Sequence, residues 1–165
     1  MKISKTAILF VLAAIIGFAA IGIVYADSDD EVITATVTVP EACILSLNTT
    51  SINFGSVSPG TDTGATNQVV EVTNNGNILA VNTTIEGTQW EDTTDGTFTM
   101  VVGQTEYNTT GFTYGAGTAL TGSPVTITGG NLAAGTSLNV FFGVAVPAQQ
   151  TAGTYEQNIT ITMNC

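Results

Sequence analysis

Beyond position 5 this chain has no cationic side chain. It contains no His and no Arg, and its two lysines are Lys2 and Lys5. Without them the usual general bases and oxyanion clamps are missing, so most acid–base and acyl-transfer chemistry is excluded. The formal charge is −11, and setting the two lysines aside moves the side-chain balance to −13. Such a surface repels nucleic acid and gains nothing from anionic lipid. Charge is also sparse, at 9% of residues, so solubility falls to Thr, Asn, Ser and Gly. Two cysteines without a histidine make half a zinc site, and no cofactor or metal is expected. No amphipathic helical segment follows the N-terminal apolar run. Val, Ile, Leu and Phe recur throughout, which argues against intrinsic disorder despite the polar richness.

The first 26 residues read as a secretory leader. Met1 to Lys5 is a short basic region, and Ala7 to Tyr25 is an uncharged apolar run. Val24-Tyr25-Ala26 places small residues before a cut at Asp27. The run exceeds an ordinary signal core, so an uncleaved anchor is the alternative. In both cases the remainder lies outside the cytoplasm, because positive charge stays inside and the acidic flank Asp27–Glu31 is translocated. The expected layout is therefore a leader over 1–26, an acidic linker and N-terminal strand over 27–42, and one domain over 43–165.

Alternation with period two dominates that remainder. In E-V-I-T-A-T-V-T-V-P-E-A-C, Ile33, Ala35, Val37 and Val39 fall on one face, and Val32, Thr34, Thr36 and Thr38 on the other. Pro40 cannot donate to a ladder and ends the strand. Further strands are expected at 43–47, 51–54, 67–73, 78–86, 98–102, around Tyr107, and at 112–114, 124–128, 136–146 and 154–164. In the 78–86 strand, Leu79, Val81, Thr83 and Ile85 share a face. In the last, Tyr155, Gln157, Ile159, Ile161 and Met163 do. Gly55–Gly60 and Asn74-Asn75-Gly76-Asn77 carry turn chemistry. Many short strands between turn signals predict an all-β, antiparallel sandwich.

Few residues invite a chemical role. Cys43 and Cys165 stand at the two ends of the expected core, and two cysteines in an exported chain pair. Asn48, Asn82, Asn108 and Asn158 each open an N-x-[ST] sequon. Glu86, Glu91, Asp92 and Asp95 are the nearest carboxylates to a glycosidase pair. The last three also suggest a calcium site, but their spacing lacks the D-x-D-x-D-G form and reads as a solvated loop. Trp90, Tyr107, Phe112 and Tyr114 offer an aromatic platform for sugar, against which core packing is the simpler expectation.

Three passages, V-T-V-P-E-A-C-I-L-S-L, I-N-F-G-S-V-S-P-G and V-P-A-Q-Q-T-A-G-T-Y-E-Q-N-I-T-I-T, resemble the spore coat protein U and chaperone–usher pilin-like group. The passage E-V-T-N-N-G-N-I-L-A-V-N-T-T-I-E-G-T-Q-W is similar to the T-N-x-G-N segment of immunoglobulin-like domains on archaeal surface proteins. Composition and layout also resemble archaeal thread subunits. The chain departs from the pilin-like pattern in its terminal second cysteine and its lack of arginine-containing motifs. The resemblance implies a single immunoglobulin-like sandwich and an exported structural role, with no catalytic residue. The expectation is a non-enzymatic subunit of an extracellular filament or surface layer, partnered head-to-tail by itself. Val32, Ile33, Ala35, Val37 and Val39 would be donated to a neighbour's sheet edge. The alternatives are an ordinary first strand of the same domain, a monomeric adhesion or carbohydrate-binding module, and a pilin that keeps Ala7–Tyr25 as a helical core. If sugars occupy the sequons, the intact mass of the native protein exceeds that of the bare polypeptide in glycan-sized steps; equality of the two masses excludes glycosylation.

Overall fold

The computed structural model describes residues 34–94 and 96–165. The expected leader, the whole acidic stretch Asp27–Glu31, Val32, Ile33 and Asp95 lie outside the described residues. Contacts divide the chain into two units, Met1–Thr38 and Val39–Cys165. In the first unit the described residues, Thr34 to Thr38, are exposed and form no strand. The strand expected before Pro40 is thus not formed over its described part.

The second unit is all-β. Its strands are β1 (Leu45–Leu47), β2 (Gln68–Asn74), β3 (Asn82–Gly87), β4 (Trp90–Asp92), β5 (Thr99–Met100), β6 (Thr105–Asn108), β7 (Thr118–Ala119), β8 (Val125–Thr126), β9 (Ser137–Val144), β10 (Tyr155–Glu156) and β11 (Ile159–Asn164). A 3-10 turn, Val102–Gln104, precedes β6. One five-stranded sheet has the order β1-β2-β9-β6-β7. Facing it are two three-stranded sheets, β11-β3-β8 and β10-β4-β5. Every pairing is antiparallel. Among the described residues no helix is long and apolar enough to cross a membrane.

The alternation seen in the sequence decides which side chains meet between the sheets. From the five-stranded sheet come Val70 and Val72 of β2, Tyr107 of β6 and Val140 and Phe142 of β9; Ile85 of β3 meets them from the other side. Burying such side chains contributes roughly 1.5–3 kcal/mol each. β9 is central, pairing with β2 on one side and β6 on the other. The polar residues buried most deeply, Asn74, Thr83 and Thr105, have partners, whereas the buried Asn67 Nδ2 has none. Thr83, fully buried, donates to Gly130 O at 2.8 Å. Asn74 donates to Ile78 O at 2.8 Å and Leu132 O at 2.9 Å, and accepts from Gly76 N at 2.9 Å. An unpaired amide there would cost its full desolvation.

Several boundaries differ from the sequence reading. The 78–86 strand begins only at Asn82. Ala80 is buried while Leu79 and Val81 are exposed, so the inward face changes phase just before β3. The cause is tertiary: Ala80 N donates to Leu132 O, and Val81 N to Asn164 O, both at 2.8 Å. Residues 51–54 and 112–114 join no ladder, although Phe112 is buried. Glu91 and Asp92, read as loop, belong to β4. The closing strand is broken into β10 and β11 by Gln157 and Asn158, but its faces are as expected, with Tyr155, Gln157, Ile159, Ile161 and Met163 half-buried and the residues between them exposed.

Cys43 and Cys165 form a disulfide with Cα atoms 6.0 Å apart, closing a sequence separation of 122. It joins the start of β1 to the end of β11, edge strands of opposing sheets. A loop of that length limits the unfolded chain and contributes roughly 4–5 kcal/mol on the chain-entropy model. Urea titrations of the Cys43→Ser, Cys165→Ser double variant and the oxidised protein are expected to differ by about that amount; a difference below about 1 kcal/mol contradicts this role for the bridge.

Candidate assembly groove

β11 lies at the margin of its sheet, with β3 on one side and no described strand on the other. Its register with β3 runs from Ile159 opposite Gly87 to Asn164 opposite Asn82. Thr88 N donates to Asn158 O at 2.9 Å. By the alternation of an antiparallel pair, Thr160 and Thr162 then bond β3, and Ile159, Ile161 and Met163 turn their N–H and C=O groups away from it. The apolar side chains of the same three residues point inward and are half-buried. This edge carries no Pro, Lys or bulge, the devices that ordinarily blunt an open strand.

Across from it stands β1, and the disulfide ties the two edges at one end. Between them runs a groove of about 400 Å³. Leu47, Ile52 and Phe54 line one side and Tyr155, Ile159 and Ile161 the other. Its floor reaches the core at Val70 and at Phe142, the latter only 1% exposed. A second hollow of about 410 Å³ is lined by four of the same residues, Ile52, Phe54, Trp90 and Tyr155, and extends to Val144 and Val146. The two adjoin across this shared wall, together called the trough, and the segment from Ser51 to Val57 lines them without joining a sheet.

Trp90 is held in this trough by a buried relay. Its Nε1 donates to Thr105 Oγ1 at 3.0 Å, and Thr105, fully buried, donates to Gln157 Oε1 at 2.6 Å. Gln157 Nε2 donates to Thr88 O at 2.6 Å. The ring of Phe54 meets Trp90 edge-on, centroids 6.2 Å apart at 61°, the geometry aromatic pairs favour.

The other singled-out residues are dispersed. Ala35 is exposed, as are Val37 and Val39 at 85% and 70%. Asn158 is exposed and lines the groove. Asn48, also exposed, accepts from Glu71 N at 2.8 Å. Asn82 and Asn108 are half-buried; Asn82 accepts from Asn164 Nδ2 at 2.7 Å and Asn108 from Thr109 N at 2.7 Å. Tyr107 and Phe112 pack in the core, so the four-aromatic platform is not assembled. Burial raises the Tyr107 phenol above its ordinary pKa; burial, then Glu106 and Asp62, raises that of Tyr114. Glu91 is exposed and Asp92 buried, with Asp92 Oδ1 taken by Thr94 N at 2.7 Å. Among the described residues no group of three His, Cys, Asp or Glu could hold a metal ion.

The sequence reading missed Ile52, Phe54 and the relay through Thr105. For the trough wall, the signal was present in the alternation of Tyr155, Ile159 and Ile161; the Thr105 contacts have none, since they join residues 15 and 52 positions apart.

No protein-family model matches the chain. No curated protein matches it. Among solved structures, it is similar to a family 123 glycoside hydrolase from Clostridium perfringens, at 11% identity and a TM-score of 0.44 over 65% of this chain. The match spans 19% of that structure's chain.

Thr105→Val keeps the shape of the side chain and removes the relay, stranding Trp90 Nε1 and Gln157 Oε1. Unfolding free energy measured in urea with Trp90 fluorescence is expected to fall by about 1–3 kcal/mol; no loss would show that the relay is dispensable.

Proposed function

We propose that this protein is a non-enzymatic structural subunit of an extracellular filament or surface assembly, joined head-to-tail by strand donation. The observation that carries the proposal is the open edge of β11 above a trough floored by Phe142, in a chain whose Val37 and Val39 are left bare. Residues 32–39 of a second copy would pair with the outward main-chain groups of Ile159, Ile161 and Met163. The Ile33, Ala35, Val37 and Val39 face would enter the trough. Main-chain bonds would supply affinity and alternate side chains the register. Each subunit offers one arm and one groove, a heterologous contact that continues into a fibre when it does not close.

Extracellular placement rests on the leader-like N terminus and is supported by the disulfide, which persists in oxidising compartments. The lack of His, Lys and Arg in the mature region fits a role without catalysis. Its uniform negative charge opposes self-association, so assembly should quicken as salt shortens the screening length to about 8 Å at 0.15 M. A second reading uses the same trough. The Phe54–Trp90 pair beside Gln157 and Glu156 has the mixture of aromatic face and polar groups that sugars require, and a glycan bound by monomers would quench Trp90.

Removing residues 27–39 separates arm from fold. Sedimentation and electron microscopy are expected to find monomers that keep the near-ultraviolet signal of Trp90, while the mature protein forms fibres. Loss of that signal on truncation, or fibres without the arm, would contradict strand donation.

A further inference from the structure

The turn Asn74-Asn75-Gly76-Asn77 does more than connect β2 to β3. It continues the β1–β2 ladder beyond its last pair, Leu45 opposite Asn74. Asn75 N donates to Ile44 O at 2.8 Å, and Asn77 N to Ala42 O at 2.9 Å. The side chain of Asn77 then acts as one more peptide group. Its Oδ1 accepts from Ala42 N at 2.7 Å, and its Nδ2 donates to Pro40 O at 2.8 Å. Proline offers a carbonyl and no N–H, and one carboxamide meets both the Pro40 carbonyl and the Ala42 N–H.

The turn is built for this approach. Asn74, fully buried, holds it from beneath through Ile78 O, Leu132 O and Gly76 N. A Cβ at Gly76 would collide with the Ala42 carbonyl oxygen, so the turn can come this close only with glycine there. Yet the residues it holds contribute little to the core: Pro40, Glu41 and Asn77 are exposed and Ala42 is half-buried. Three hydrogen bonds thus hold an exposed stretch next to a cysteine already fixed by its disulfide.

We propose that Asn77 is a positioning residue for assembly: it fixes the root of the N-terminal arm, Pro40–Ala42, so that the residues before Pro40 are presented from a rigid base to a second copy. The proposal rests on the strand-donation reading. A fixed root lowers the ordering cost paid when the arm docks, and that saving appears in assembly rather than in monomer stability.

The test uses the full mature chain and its Asn77→Ala and Asn77→Asp variants, compared by three measurements. Ala42 amide exchange in the monomer is expected to quicken by about tenfold or more in Asn77→Ala, where its acceptor is gone, and to stay slow in Asn77→Asp. The critical concentration for fibres is expected to rise about tenfold in both variants, because neither offers the donor to Pro40 O at neutral pH. The melting temperature of the monomer is expected to stay within about 2 °C of the parent for both, as for surface changes away from the core. Unchanged exchange at Ala42 in Asn77→Ala, unchanged critical concentration, or a large drop in melting temperature in both variants would each overturn the positioning role. Should the parent protein form no fibres, strand donation itself falls and this role with it; fibres that are indifferent to both substitutions overturn the role of Asn77 alone.

Discussion

An edge strand that turns alternate peptide groups to a side where no described strand lies is the constraint on which the rest of this structure depends. Main-chain N–H and C=O groups must find partners, in the protein or in water. In β11 the described strand partner lies on the β3 side, while Ile159, Ile161 and Met163 are half-buried and the first two line a trough that reaches Phe142. A sandwich normally closes such a margin with one more strand. Here the candidate for that strand precedes Cys43 in the sequence, and its described residues belong to no sheet. The disulfide lashes the two facing edges together at one end, which holds the margins in place without filling the space between them.

The described residues satisfy their polar groups without a cationic side chain. With the two lysines at positions 2 and 5, no side-chain ion pair is available among the described residues. Asn and Thr take over. Thr83 reaches Gly130 O from inside the core, Thr105 links Trp90 to Gln157, Asn74 braces a turn, and Asn77 extends a ladder. Carboxamides and hydroxyls can stand in for peptide groups at sites where backbone geometry leaves one short. This gives the Thr- and Asn-rich composition a physical purpose beyond solubility, and it explains why sequon asparagines such as Asn82 and Asn108 also serve as hydrogen-bond acceptors.

The fold class was legible because alternation with period two survives in β2, β9 and β11, where one face is buried and the other wet. It failed where tertiary contacts broke the pleat. At Ala80 and Val81 the chain bonds Leu132 and Asn164 and changes its inward face, which no local pattern announces. Residues 51–54 have strand composition but no neighbour to pair with. Glu91 and Asp92 look like loop residues, yet β4 takes them because β5 and β10 flank it. The pairing of Cys43 with Cys165 was readable from their number and compartment. The trough was half readable, through the apolar face of the last strand; its aromatic wall and relay depend on residues brought together from distant segments.

The central claim is that residues 32–39 of one copy fill the open edge of another. Its most direct measurement is a cross-link between a photoactivatable side chain at position 37 and β11, in fibres grown from an equal mixture of ¹⁴N and ¹⁵N subunits. Strand donation predicts cross-linked peptides of mixed isotope in which position 37 is joined to residues 159–163. Cross-links confined to peptides of a single isotope would place the arm on its own domain and contradict the account.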